Sequence, residues 1–213
     1  MPAILQKSKV DNPVFRTLFP DWSEPRPLAF FFMEELLEAR SRSVFPTGAV
    51  EFDEDVNIYL AHLLTRLASD TMFSGTRFGS LPQWQPPAKT MDRQARSRWY
   101  LAQGEHRLLY LGLFDRGEGC RRRSELWGMS REETRRRDMV CGKACYQAAA
   151  DLMEHAGDSS PLAPVVAKLA RHFDDYVQVL RTLATDRWNF GARLSDRQLA
   201  ELLPPLDTSE KHP

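Results

Sequence analysis

The 213 residues lack most of the signatures that announce a chemistry. There is no glycine-rich phosphate loop of either common form, no Gly-x-Ser-x-Gly elbow and no His-Glu-x-x-His, which excludes the nucleotide folds, hydrolases and zinc peptidases that carry them. Glu-x-x-His is also missing, and with it the ligand set of di-metal four-helix bundles. Cysteine is scarce: Cys120, Cys141 and Cys145 are an odd three with no disulfide framework, which fits a reducing, cytoplasmic setting. The longest apolar runs, Leu28 to Met33 and Leu108 to Phe114, are far too short to insert in a membrane, and Met1 to Asp11 has no apolar core of signal-peptide length. No segment alternates with period two for the length of a strand, and no repeat of 20 to 50 residues is visible. Net charge is zero, so no global field selects a polyanion or a membrane.

What the chain does have is helical periodicity, clearest between Ser160 and Gly191. Leu162, Val166, Leu169, Phe173, Tyr176, Leu180 and Leu183 follow one another in steps of four and three, while Lys168, Arg171, Asp174, Asp175, Arg181 and Asp186 keep to the other side. Ser160 suits the N-cap, Pro161 the first helical position and Gly191 the left-handed position that ends a helix. One core helix of about 28 residues, on the order of 40 Å long, is predicted here.

The remaining segments supply its partners. Leu28 to Ser41 reads as a helix with Phe31, Phe32, Met33, Leu36 and Leu37 inward and Glu34, Glu35, Glu38 and Arg42 outward. A helix from Asp53 buries Val56, Leu60, Leu63, Leu64 and Leu67. Helix resumes from Asp92 to Phe114, on a line of Ala95, Trp99, Ala102, His106, Leu109 and Leu113; Gly104 costs about 1 kcal/mol against Ala and marks a close helix crossing. Ser130 and Glu133 form a capping box for a helix to about His155, with small residues along Cys141, Cys145, Ala148, Leu152 and Ala156. Ser195 and Gln198 cap a last short helix. The prediction is an all-α fold: a single domain over residues 1–213, a bundle of about six helices, four of them long. Residues 1–27 are partly irregular, residues 71–90 form one long aromatic loop with Phe73, Phe78 and Trp84, and residues 207–213 are a flexible tail.

Three groups of residues bear on function. Asp55, Tyr59, His62 and Arg66 share one stripe and can touch one another; with His106 and Tyr110 on the Asp92–Phe114 helix, Tyr59 and His62 could line a pocket, the reading that a helical enzyme or small-ligand protein would require. Cys141 and Cys145, one turn apart, could bind a soft metal with Cys120 or His155, yet they lie on an apolar line where free cysteine behaves as a small hydrophobe, so no metal and no cofactor are expected.

The third group is electrostatic. Of the 29 basic residues 23 are arginine, and residues 93–137 hold twelve arginines, no lysine and six acids, a net of +6; the segments on either side are each −3. If the two helices flanking this turn run antiparallel, Arg121, Arg122 and Arg123 lie at the same end as Arg135, Arg136 and Arg137. Glu132–Arg136 and Glu133–Arg137 are favourably oriented i,i+4 pairs, so part of the run neutralises itself. The expectation is a non-enzymatic interaction protein with a protein partner or a second copy of itself; the alternative is a nucleic-acid or phosphate binder that uses these six arginines.

Overall fold

A computed structural model describes residues 27–43, 45, 54–68, 87, 90–115, 128, 130–154 and 160–189. Of these, 86% are helical, in six α-helices and two π-helical turns, with no strand among them. The helices are α1 (Leu28–Arg42), α2 (Glu54–Ala68), α3 (Arg93–Leu109), α4 (Arg131–Glu154), α5 (Ala163–Arg171) and α6 (Phe173–Thr182). A π-helical turn, Tyr110–Phe114, extends α3, and a second, Leu183–Arg187, extends α6. The N-terminal segment, the aromatic loop, the Arg121–Arg123 turn, Cys120, the Ser195 capping box and the tail lie outside the described residues. No helix among the described residues is long and apolar enough to cross a membrane.

The stripe from Val166 to Leu183 is the centre of the molecule: Leu169, Phe173, Tyr176, Leu180 and Leu183 are completely buried. It is not one α-helix, however. At His172 the backbone leaves helical geometry (φ −109°, ψ 30°) and α5 gives way to α6. The hydrogen bonds from His172 N to Lys168 O and from Tyr176 N to His172 O persist, so the axis is hitched rather than interrupted. The His172 ring stacks on Phe45 there. The ends also differ from expectation. The first α-helical residue is Ala163, preceded by a turn in which Ala163 N donates to Ser160 O, and the chain leaves the helix at Trp188–Asn189. Asn189 takes a left-handed φ of 48°, a conformation that asparagine tolerates better than most side chains; Gly191, the expected stop, lies outside the described residues.

Helices α3 and α4 make the most extensive contact. Three pairs set them antiparallel: Arg93 with the Leu152 carbonyl, Ser97 with the Ala149 carbonyl, and Asp115, just after α3, with Arg131 at the start of α4. Gly104 marks their crossing, since a Cβ there would stand 3.0 Å from the Tyr146 ring. The start of α4 is set by the capping box, in which Ser130 N donates to Glu133 Oε2 at 2.8 Å and Glu133 N to Ser130 Oγ at 3.2 Å. Hydrogen bonding by Ser130, its side chain first and its backbone N–H second, holds the exposed Glu133 carboxyl below its usual range.

The buried line of α4 runs Thr134, Asp138, Gly142, Cys145, Tyr146 and Ala149, rotated from the line of small residues that spacing suggested; Ala144 is exposed, and Cys141 and Ala148 are half-buried. Close approach still decides the choice, because α6 passes over Gly142. In α1 the rotation is similar: Phe32, Leu36, Ala39 and Arg40 face inward, while Leu37 is exposed. On α3, Ala102 is exposed, and every residue from Gln103 onward is buried.

Candidate functional site

Two polar constellations are built into this frame. The first lies where α3 ends. Its π turn passes so close to α6 that a Cβ on Gly112 would stand 2.5 Å from the Leu180 Cβ, and the next residue on α6, Arg181, reaches over the turn. Its Nε donates to the Leu111 carbonyl at 3.0 Å and its guanidinium to Asp115 Oδ2 at 2.5 Å. Asp115 is buried, with 3% of its side chain exposed, and it also draws in the start of α4: Arg135 Nε lies 3.6 Å from Oδ2, and Arg131 donates to the Asp115 carbonyl at 3.0 Å. One carboxylate therefore serves two guanidinium groups while its backbone holds a third.

The charge at this end is not balanced by that carboxylate. Among the described residues here, five arginines, Arg131, Arg135, Arg136, Arg137 and Arg181, accompany three acids, Asp115, Glu132 and Glu133. One of those acids, Glu133, is engaged by Ser130, and Glu132 meets Arg136 only at 3.4 Å between two highly exposed side chains, an interaction worth little in water. The forked donors of Arg131 and Arg135 suit carboxylate and phosphate groups alike. Because Asp115 sits on the inner side of the cluster, an anion would be held from the solvent side.

Of the arginines singled out by sequence, Arg135 is thus partly committed to Asp115, Arg136 pairs with Glu132, and Arg137 is exposed on the first turns of α4. Arg121, Arg122 and Arg123 lie outside the described residues. Arg181 and Asp115 were missed. Arg181 sits on the outward side of the α6 stripe, where it passes for a solvated charge, and only the crossing at Gly112 brings it to Asp115.

The second constellation links α2, α3 and α4. Tyr59 donates to Glu105 Oε1 at 2.5 Å and Arg66 to the same oxygen at 2.6 Å. The fully buried Tyr146 adjoins them: burial pushes its hydroxyl pKa well above the usual tyrosine value, and the Glu105 charge adds to this. Burial also raises Tyr59 far above that value, assisted by Tyr146 and Glu105. Deprotonating either tyrosine would set a second anion beside a buried carboxylate, so both stay protonated and Tyr59 acts as a donor. Next to them, burial lifts the Cys145 thiol to about 11, which leaves little thiolate at neutral pH.

The polar row on α2 reaches out to other helices. Asp55 receives Lys168 of α5 at 3.0 Å, Tyr59 and Arg66 converge on Glu105 of α3, and His62, between them, is exposed. His106 and Tyr110 are buried on α3 and its π turn. Among the described residues no group of three or more histidine, cysteine or acidic side chains is placed to hold a metal.

Two further buried links tie the bundle together. Glu35, read from sequence as outward, is largely buried and takes both Arg187, at 2.6 and 3.2 Å, and the Trp188 indole, at 3.0 Å. That bond to Glu35 raises the Arg187 pKa above its ordinary value. Arg40 is completely buried: it donates to Asn57 Oδ1 at 2.8 Å and to the Phe45 carbonyl at 3.3 Å, and its guanidinium lies over the Phe45 and Tyr176 rings at 5.0 and 5.7 Å.

Compared with protein-family models, with curated proteins and with solved structures, the chain shows no match.

Proposed function

We propose that the chain is a non-enzymatic helical interaction protein that engages an anionic partner at its arginine-rich end. The observation that carries this reading is the arrangement at Asp115, where a single buried carboxylate collects Arg181 and Arg135 while Arg131 rests on its backbone. On the first turns of α4, the four arginines Arg131, Arg135, Arg136 and Arg137 outnumber the two acids beside them, Glu132 and Glu133, and their forked donors suit an anionic group. The buried Glu105 carboxylate, the obvious acid–base group of the core, is occupied by Tyr59 and Arg66, which supports a binding role over a catalytic one.

The test is binding of immobilised heparin, polyglutamate and duplex DNA by the wild-type chain and by a variant with Arg121, Arg122 and Arg123 all replaced by Gln. Retention by a polyanion that weakens with salt, and weakens further in the variant at unchanged helical circular dichroism, supports the reading. For duplex DNA, each phosphate that the variant no longer neutralises should flatten the slope of log affinity against log salt by about 0.9. A wild-type protein that ignores all three polyanions at low salt overturns it.

A further inference from the structure

The carboxylate of Asp115 is shared unevenly. Arg181 has the stronger hold: its guanidinium donates to Oδ2 at 2.5 Å, its Nε is fixed on the Leu111 carbonyl, and only 19% of its side chain is exposed. Arg135 approaches the same oxygen and stops at 3.6 Å, an ion pair beyond hydrogen-bond distance, with 36% of its side chain exposed. The other oxygen, Oδ1, is buried and accepts no hydrogen bond among the described residues. A guanidinium pairs best with an oxyanion when two N–H groups meet two oxygens. Arg135 has neither that fork nor one short bond to Asp115.

The three arginines at this carboxylate are therefore not equivalent. Arg181 ties α6 to the end of α3, and Arg131, through the Asp115 carbonyl, ties the start of α4 to the same place. Arg135 gains only the remaining attraction of an oxygen that is already taken, so it loses least by turning to another anion. Its neighbours on α4 offer no replacement, since Glu132 meets Arg136 and Glu133 is engaged by Ser130.

We propose that Asp115 is a built-in competitor for Arg135: the internal carboxylate holds this guanidinium in reserve, and an external carboxylate or phosphate group binds by drawing it away from Oδ2. Arg135 is then the contact residue, and Asp115 sets the affinity that an anion must exceed. The inference rests on the reading of the arginine-rich end as an anion site and adds the regulation of that site.

The probes are fluorescein-labelled polyglutamate and a fluorescein-labelled DNA duplex, measured by fluorescence anisotropy at low salt, where exposed charges are least screened. Asp115→Asn keeps the shape of the side chain and an acceptor for Arg181 while removing the charge. It should bind about fivefold more tightly than the wild type. Arg135→Gln should bind about tenfold more weakly, and in that background Asp115→Asn should change affinity by less than about twofold. A gain confined to polyglutamate identifies carboxylate as the competing group, and one confined to the duplex identifies phosphate. A gain that persists in full without Arg135 would mean that Asp115 acts through its field alone, which overturns the competition. Should Asp115→Asn lose its helical circular dichroism, Arg135→Gln still decides, because a variant that binds like the wild type shows that Arg135 is not the contact. Wild-type binding that ignores both substitutions leaves the arginine-end reading standing and removes the competitor. No binding by the wild type or by Asp115→Asn removes both, whereas binding by Asp115→Asn alone supports the competitor against the reading of the wild-type chain.

Discussion

Gly142 carries no side chain at the place where the Phe173 ring crosses α4: a Cβ built there would stand within 2.9 Å of three ring carbons. Phe173 is itself completely buried, and its ring lies 6.0 Å from that of Tyr146. The pair sets how closely α4 lies on α6, and α4 carries Arg131 and Arg135 of the candidate anion site.

Two effects oppose each other in Gly142→Ala. Helix propensity favours alanine by about 1 kcal/mol, while overpacking a closed core costs about 1–3 kcal/mol or more. The ring is completely buried, so the variant should be less stable, despite gaining a better helix former. Phe173→Ala should cost about 3–5 kcal/mol, and Gly142→Ala should be less harmful in a Phe173→Leu background than in the wild type. Urea denaturation of these variants and the wild type measures the coupling; strict additivity would show that the two positions do not constrain one another.

Arg40 gives a sharper prediction about charge type. Its planar fork serves Asn57 and the Phe45 carbonyl at once and lies over two aromatic rings. A lysine ammonium is a point charge and cannot reproduce that geometry. Arg40→Lys should therefore destabilise by about 1.5–3 kcal/mol, the worth of hydrogen bonds to a charged group. An unfolding midpoint within error of the wild type would mean that charge alone is sufficient there.

At Glu105 the two partners should not be equivalent. Tyr59 is largely withdrawn from solvent, whereas half of the Arg66 side chain is exposed. Tyr59→Phe should cost about 1–3 kcal/mol, because the carboxylate loses a buried donor, and Arg66→Gln less than about 1 kcal/mol, because water replaces the cation. Thermal or urea unfolding of the two variants orders them; a larger loss for Arg66→Gln would show that the ion pair dominates.

Alkaline pH should loosen the core from the same region. Cys145 is raised to about 11 in the folded chain from an ordinary value near 9, so the unfolded state releases the proton first. Stability is then complete below about pH 9 and falls as pH rises toward 11. Tyr59 and Tyr146, both raised above 10, extend the loss further into alkali. Unfolding midpoints between pH 8 and 11 read this directly. In a chain with Cys120 and Cys141 changed to Ser, the remaining thiol should react with a disulfide reagent far more slowly than free cysteine at pH 8; labelling at the free-thiol rate would show that Cys145 is accessible.

Much of the helical frame was legible in the residues themselves, for a local reason. The 4-3 row through Leu169, Phe173, Tyr176 and Leu180, the Ser130–Glu133 capping box and the close crossing at Gly104 each depend on neighbours within a turn or on the one side chain that is missing. The fine rotation of each helix was less legible. Leu37 and Leu36 are chemically alike, yet one is exposed and the other buried, because a rotation of a few tens of degrees is decided by what packs opposite and not by the hydrophobic count. The same holds for the hitch at His172, which lies against Phe45 from a distant part of the chain.

The sequence alone determined an all-α chain with its charge surplus in residues 93–137, since periodicity, caps and composition act over a turn or two of helix. Tertiary structure alone decided which charges are spent. Asp115 and Arg181 are 66 residues apart, Tyr59 and Glu105 are 46 apart, and Glu35 and Arg187 are 152 apart. On a helix surface each of these side chains looks solvated. Only the approach of helix backbones, closest where Gly112 meets Leu180 and Gly142 meets Phe173, brings such distant partners within reach and so separates the arginines that hold the fold from those exposed on its surface.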